Sequence, residues 1–187
     1  MERNAKVFNG FSWIFIFLVG LLILLLLLSP TEKSLSWIVK LVYVHVGLVW
    51  SSLILFALSF FLVLFSFFKR EILFWARGGV LTAYIFWWLY FFSSLLVAYL
   101  AWGGVNWAEP RLRIALEALV FSSIFLLLAF NLENETWQKV FYFLTSFGTW
   151  ALWLTRTSIL HPDQPIRRSF SFALKAFAFS IFLDILI

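Results

Sequence analysis

The stretch LVYVHVGLVWSSLILFALSFFLVLFSFF, from Leu41 to Phe68, contains no Asp, Glu, Lys or Arg. As an α-helix it would extend about 40 Å, more than the roughly 30 Å of a bilayer's hydrocarbon core. Its one group that titrates near neutral pH is His45, one to two turns inside the run. A water-facing protein cannot solvate such a segment. Five further stretches are long and apolar enough to be read the same way: residues 8–28, 80–101, 112–130, 137–154 and 169–187. The first reads as a span and not a signal peptide, because no small-residue cleavage site follows it. The sixth carries Lys175 and Asp184, both expected to snorkel towards the nearer interface. The connectors are short and punctuated by Ser29-Pro30, Gly103-Gly104, Pro110, Pro162 and Pro165. The expected fold is an all-α integral membrane protein, one six-transmembrane-helix bundle with short connectors.

Composition agrees. Of 187 residues, 64% are hydrophobic and 12% charged, and the mean hydropathy is +0.99. Soluble domains carry about a quarter of their residues as charges. This excludes an ordinary cytosolic enzyme, a disordered chain and a nucleic-acid-binding domain, although the pI is 9.7. There is no Cys, and the single Met is the initiator. No disulfide, thiolate metal cluster, covalent haem attachment or thiol nucleophile can therefore be built.

With six spans, the odd-numbered connectors share one side of the membrane. The first leads into His45, the third holds Trp102, Trp107 and Glu109, and the fifth holds His161. The other side receives Arg3, Lys6, Lys69, Arg70, Arg77 and Lys139; the odd side receives Lys33, Lys40, Arg111, Arg113, Arg156, Arg167, Arg168 and Lys175. Taken literally, the positive-inside rule places the odd connectors in the cytoplasm. Basic residues on an outer face would instead suit an anionic ligand.

His45 inside a span is a functional candidate, because a polar group there is expensive. Its plainer reading is an interfacial imidazole bonded to water or a carbonyl. His161, in Leu160-His161-Pro162-Asp163, reads alone as a solvated loop residue. Together, two neutral imidazoles suffice as axial ligands of one haem iron. They are too few for a typical zinc site unless Asp163 and Glu109 complete it. The third connector runs Trp102-Gly103-Gly104-Val105-Asn106-Trp107-Ala108-Glu109-Pro110-Arg111-Leu112-Arg113. Its glycines permit close backbone approach, its indoles offer a flat platform and its arginines can grip carboxylates. Tryptophan belts also mark membrane interfaces generally. Trp87-Trp88 reads as packing, and Glu117, four residues after Arg113, as a structural ion-pair partner.

Three of these segments together resemble the CcmC family, the haem-handling membrane subunit of system I cytochrome c maturation. Lys40-Leu-Val-Tyr43-Val-His45-Val, with Trp50, resembles that family's K-x-x-Y-x-H-V-P-x-x-W opening. The third connector resembles its W-G-x-W-W-x-W-D-x-R-L loop, and Leu160-His161-Pro162 its later L-H-Q/P segment. The likeness covers roughly residues 40 to 165. Gly47 stands where the family has Pro. Val105, Asn106 and Ala108 stand where it has Trp, and Glu109 replaces its Asp.

The resemblance implies a non-enzymatic role: noncovalent binding of haem b at the outer face and delivery to the haem chaperone CcmE, alongside CcmA, CcmB and CcmD. It implies His45 and His161 as iron ligands. It implies Trp102, Gly103, Trp107 and Arg111 along the haem edge, with Lys40 and Arg113 as propionate candidates. It implies a prokaryotic plasma membrane, with both termini cytoplasmic and the odd connectors outside. Two rivals stand beside it. One is a synthase-type relative that attaches haem, which would be longer and richer in His. The other is a haem-free transporter or channel subunit, which would carry polar residues deep in several spans.

Overall fold

The computed structural model describes residues 2–155 and 172–186, with side chains from residue 13 onward and residue 174 excepted. The chain is all-helical. Its elements are α1 (Glu2–Leu28), α2 (Val39–Ser66), α3 (Ile72–Trp102), α4 (Pro110–Asn131), α5 (Glu135–Thr155) and α6 (Phe172–Leu186). No strand is present among the described residues beyond a single bridge between Glu32 and Ser36. Each helix falls on one of the six apolar stretches read from the sequence, although α2 ends at Ser66, two residues before the expected end, and residues 169–171 and 187 of the sixth stretch lie outside the described residues.

Among the described residues, three helices, α2, α3 and α4, are long and apolar enough to cross a membrane, and the described part of α1 adds the apolar stretch Trp13–Leu28. The expectation of six such helices is thus met in half of them by length and composition. α5 and α6 differ from the other four in composition or described length. α5 spends much of its length on polar groups that face inward: Lys139, Thr145, Ser146 and Thr149 are all buried. α6 has 15 residues, about 22 Å of helix. The start of α3 also differs from the expected span at residue 80. The helix begins at Ile72 and absorbs Arg77, whose guanidinium sits 5.0 Å from the Phe130 ring centroid.

The chain divides into two compact units, Met1–Gly47 with Gln164–Ile187, and Leu48–Asp163. In the first, Val39, Tyr43 and Ile181 form a buried cluster wrapped by Leu22, Leu25, Leu26, Leu35, Ala178 and Ile185. Val39, Tyr43 and Gly47 follow one another every four residues along one face of α2. Gly47 brings α6 close: a Cβ there would lie 2.7 Å from Ile185 Cδ1 and 3.5 Å from Phe182 Cα. Asp184 does not snorkel. It is 8% exposed, and its Oδ1 has no hydrogen-bond partner. Lys175, by contrast, is exposed.

The connector between α1 and α2 is a folded cap. The carboxylate of Glu32 accepts the Ser34 amide at 2.8 Å, the Leu35 amide at 3.0 Å and the Ser34 hydroxyl. The carbonyls left open at the end of α1 are satisfied from elsewhere. Ser29 Oγ donates to Leu26 O at 2.8 Å, Lys40 Nζ to Leu27 O at 3.0 Å, and Tyr43 Oη to Pro30 O at 3.3 Å.

The second unit is knitted by small residues and hydroxyls. Between α2 and α3, Ser52 Oγ donates to Ala83 O at 2.7 Å, and Ser59 abuts the bare backbone of Gly79. Between α4 and α5, Ser122 and Thr149 share a hydrogen bond of 2.9 Å, and Phe121 lies flush against Gly148. Trp150 Nε1 reaches from α5 to Leu53 O on α2 at 2.8 Å. At the far end of this unit, Glu135 Oε2 meets Arg70 Nε at 2.5 Å and its Oε1 meets Lys139 Nζ at 2.9 Å. These bonds hold the α2–α3 turn to the start of α5. Trp87 is fully buried, as its reading as packing requires.

Two outcomes follow from these contacts. In Gly148→Val the new side chain meets the Phe121 ring, and overpacking of this kind typically costs about 1–3 kcal/mol; detergent-solubilised variant should unfold at lower temperature than the parent. The Glu32 carboxyl is held below the ordinary glutamate range, chiefly by the Ser34 hydroxyl and then by the Leu35 amide. The cap is therefore intact above the ordinary glutamate pKa and is lost as pH falls through the lower folded value. Hydrogen exchange at the Ser34 and Leu35 amides should show protection dropping on acidification, and Glu32→Gln should show the same loss already at neutral pH.

Candidate functional site

The third connector, between α3 and α4, is a defined turn. α3 ends at Trp102, and Gly103 caps it at φ 74° with its amide donating to Tyr99 O at 3.0 Å. That left-handed backbone is why glycine stands there. A Cβ at Gly103 or Gly104 would meet nothing within 4 Å, so the surface beside them is open. Asn106 closes the turn: its Oδ1 accepts the Ala108 amide and its carbonyl accepts the Glu109 amide, both at 3.0 Å. Glu109 then precedes α4 with extended backbone and a buried side chain, and Pro110 takes the first helical position, which suits its fixed φ.

On this frame Trp102 is 46% exposed and Trp107 is 55% exposed. A flat apolar ligand would find two accessible indoles and two bare glycines on one short turn. Arg113 is exposed on the first turn of α4. Arg111, half-buried, is committed inward. Its Cζ lies 4.2 Å from the Trp153 ring centroid, and its Nη1 donates to Trp153 O at 3.2 Å. Trp153 in turn meets Trp87 edge-on at 5.7 Å and Tyr90 at 6.1 Å. Trp87 Nε1 donates to Ala115 O, one turn along α4 from Arg111, at 3.0 Å.

The structure therefore brings Trp102, Gly103, Trp107, Arg111 and Arg113 together in one unit. His45 and Lys40 belong to the other. His45 is half-buried on α2, about 200° around the helix from the Tyr43 and Gly47 positions that face α6. Lys40, read as a propionate candidate, caps the end of α1 through Leu27 O. His161, with Pro162 and Asp163, lies outside the described residues. Among the described residues no group of three His, Cys, Asp or Glu side chains could hold a metal ion.

Trp153 was not singled out by sequence. It sits 42 residues from Arg111, inside an apolar stretch, and no local spacing links the two. A stack of a half-buried guanidinium on indole contributes about 1–2 kcal/mol. Trp153→Leu should therefore lower the thermal midpoint in detergent by an amount that Arg111→Leu reproduces, and the double variant should fall short of the sum of the two. The chain matches no family model, no curated protein and no solved structure.

Proposed function

We propose that this protein binds haem b noncovalently at one membrane face and hands it to a membrane-anchored chaperone of the CcmE type. In this reading all six helices lie in a prokaryotic plasma membrane with both termini cytoplasmic. CcmA, CcmB and CcmD are the expected companions, and the chain itself makes and breaks no covalent bond. The observation that carries the reading is the third connector: a turn fixed by Gly103 and Asn106 that leaves Trp102 and Trp107 exposed beside an open glycine surface. The resemblance of the His45, tryptophan-loop and His161 segments to the CcmC family supplies the rest.

In this role His45 and His161 would be the residues that hold the iron, as the resemblance implies. The ligand supplies a flat macrocycle and two carboxylates. Trp102 and Trp107 would cover the apolar edge, and exposed Arg113 would neutralise a carboxylate at the rim. His45 and His161 would hold such a group from two separate stretches of the sequence, each through one imidazole.

A haem-free transporter subunit is the second reading. Asp184 favours it, as a buried carboxylate within an apolar helix with an oxygen left unpartnered.

The deciding measurement is the absorption spectrum of protein purified from membranes and supplemented with haem. A Soret band with sharp low-spin α and β bands on reduction is expected, and His45→Ala and His161→Ala should each abolish the low-spin pattern. If wild-type protein gives the spectrum of free haem, the carrier reading fails.

A further inference from the structure

We infer that Arg111 is a positioning residue that locks the tryptophan-bearing connector to the end of α5, and is not itself a carboxylate ligand; for its consequence on haem this rests on the carrier reading above. A guanidinium that grips a carboxylate presents one free edge with two parallel N–H groups. In Arg111 one flat face is covered by the Trp153 ring, and an Nη1 N–H donates to the Trp153 carbonyl, so the fork is already oriented towards α5. The contacts form a closed circuit. They run from Arg111 on α4 to Trp153 on α5, from Trp153 to Trp87 on α3, and from Trp87 Nε1 back to Ala115 on α4, one turn from the start. Tyr90 closes the inner side against both Trp87 and Trp153.

A circuit through three helices fixes the first turn of α4, and with it the connector that runs into Pro110. Two residues on, Arg113 is exposed. The neighbouring arginines thus divide the work: one holds the frame, and the other faces outward.

The chain has no Cys, so nitroxide labels on the exposed positions Ala108→Cys and Leu154→Cys report the distance between the connector and the end of α5 without background. A narrow distribution is expected in the parent. Arg111→Lys keeps the charge but loses the stack and the fork, and should broaden the distribution, as should Trp153→Leu. Trp153→Phe retains a ring and should broaden it less, and Lys69→Ala, at the other end of the unit, should leave it narrow. A distribution unchanged in Arg111→Lys overturns the proposal.

The second arm titrates the unlabelled proteins with haem and with haem dimethyl ester, which lacks the two carboxylates. A positioning role predicts that Arg111→Lys weakens both by the same factor, about tenfold. A loss confined to haem, with the ester unaffected, would make Arg111 a carboxylate ligand and also overturn the proposal. If the parent binds neither porphyrin, the carrier reading falls while the label distances still decide the role of Arg111.

Discussion

In a chain this apolar, helices cannot recognise one another by greasiness, because every face is greasy. Association must come from close backbone approach and from hydrogen bonds that the surroundings cannot offer. The second unit is built on that constraint. Ser52 and Ser59, seven residues apart on α2, meet Ala83 and Gly79 on α3. Ser122 and Thr149 join α4 to α5 beside Gly148. Large side chains then fill what the small ones leave open, as Trp87 does from the core and Trp150 from α5. Replacing any of the small residues would separate helices before it exposed any surface.

Two charged sites of the second unit use their charge differently. Around Glu135, two cations share one carboxylate, and the shift of Glu135 below the usual range follows first from its bond to Lys139. Lys139 is also within 5.7 Å of the Phe67 ring, so a buried ammonium has both an anion and a π-face. At the Arg111 end the cation meets an indole and a carbonyl. The first arrangement is a charge cluster; the second is packing that happens to include a charge.

How much of this was legible beforehand differs by feature. The helices were legible because long runs without Asp, Glu, Lys or Arg leave few alternatives. Their ends were less so: Arg77 looked like connector material, and only the Phe130 ring across the unit explains its place in α3. The tryptophan connector was legible as a turn from Gly103-Gly104 and Pro110, and the structure adds that Asn106 closes it. The inward commitment of Arg111 was not legible, since its partner lies 42 residues away in an unremarkable apolar stretch. Asp184 misled the reading, because hydropathy alone says nothing about which face of α6 is enclosed. Lys40 was singled out for its place in a motif, whereas its amine terminates α1.

The two units differ in how their parts are ordered along the chain. The unit Leu48–Asp163 is contiguous, so its helices can pair as they emerge during synthesis. The unit built on Val39, Tyr43 and Ile181 is discontinuous, and one wall of its cluster comes from α6. Until α6 is made, Gly47 has no neighbour to justify its missing side chain, and the faces of α1 and α2 destined for the cluster stand open. Completion of that unit is consequently a late step with a large loop already closed behind it. Quality control that senses exposed intramembrane surface would therefore act on this half of the molecule, and truncations after α5 should be recognised as unfinished.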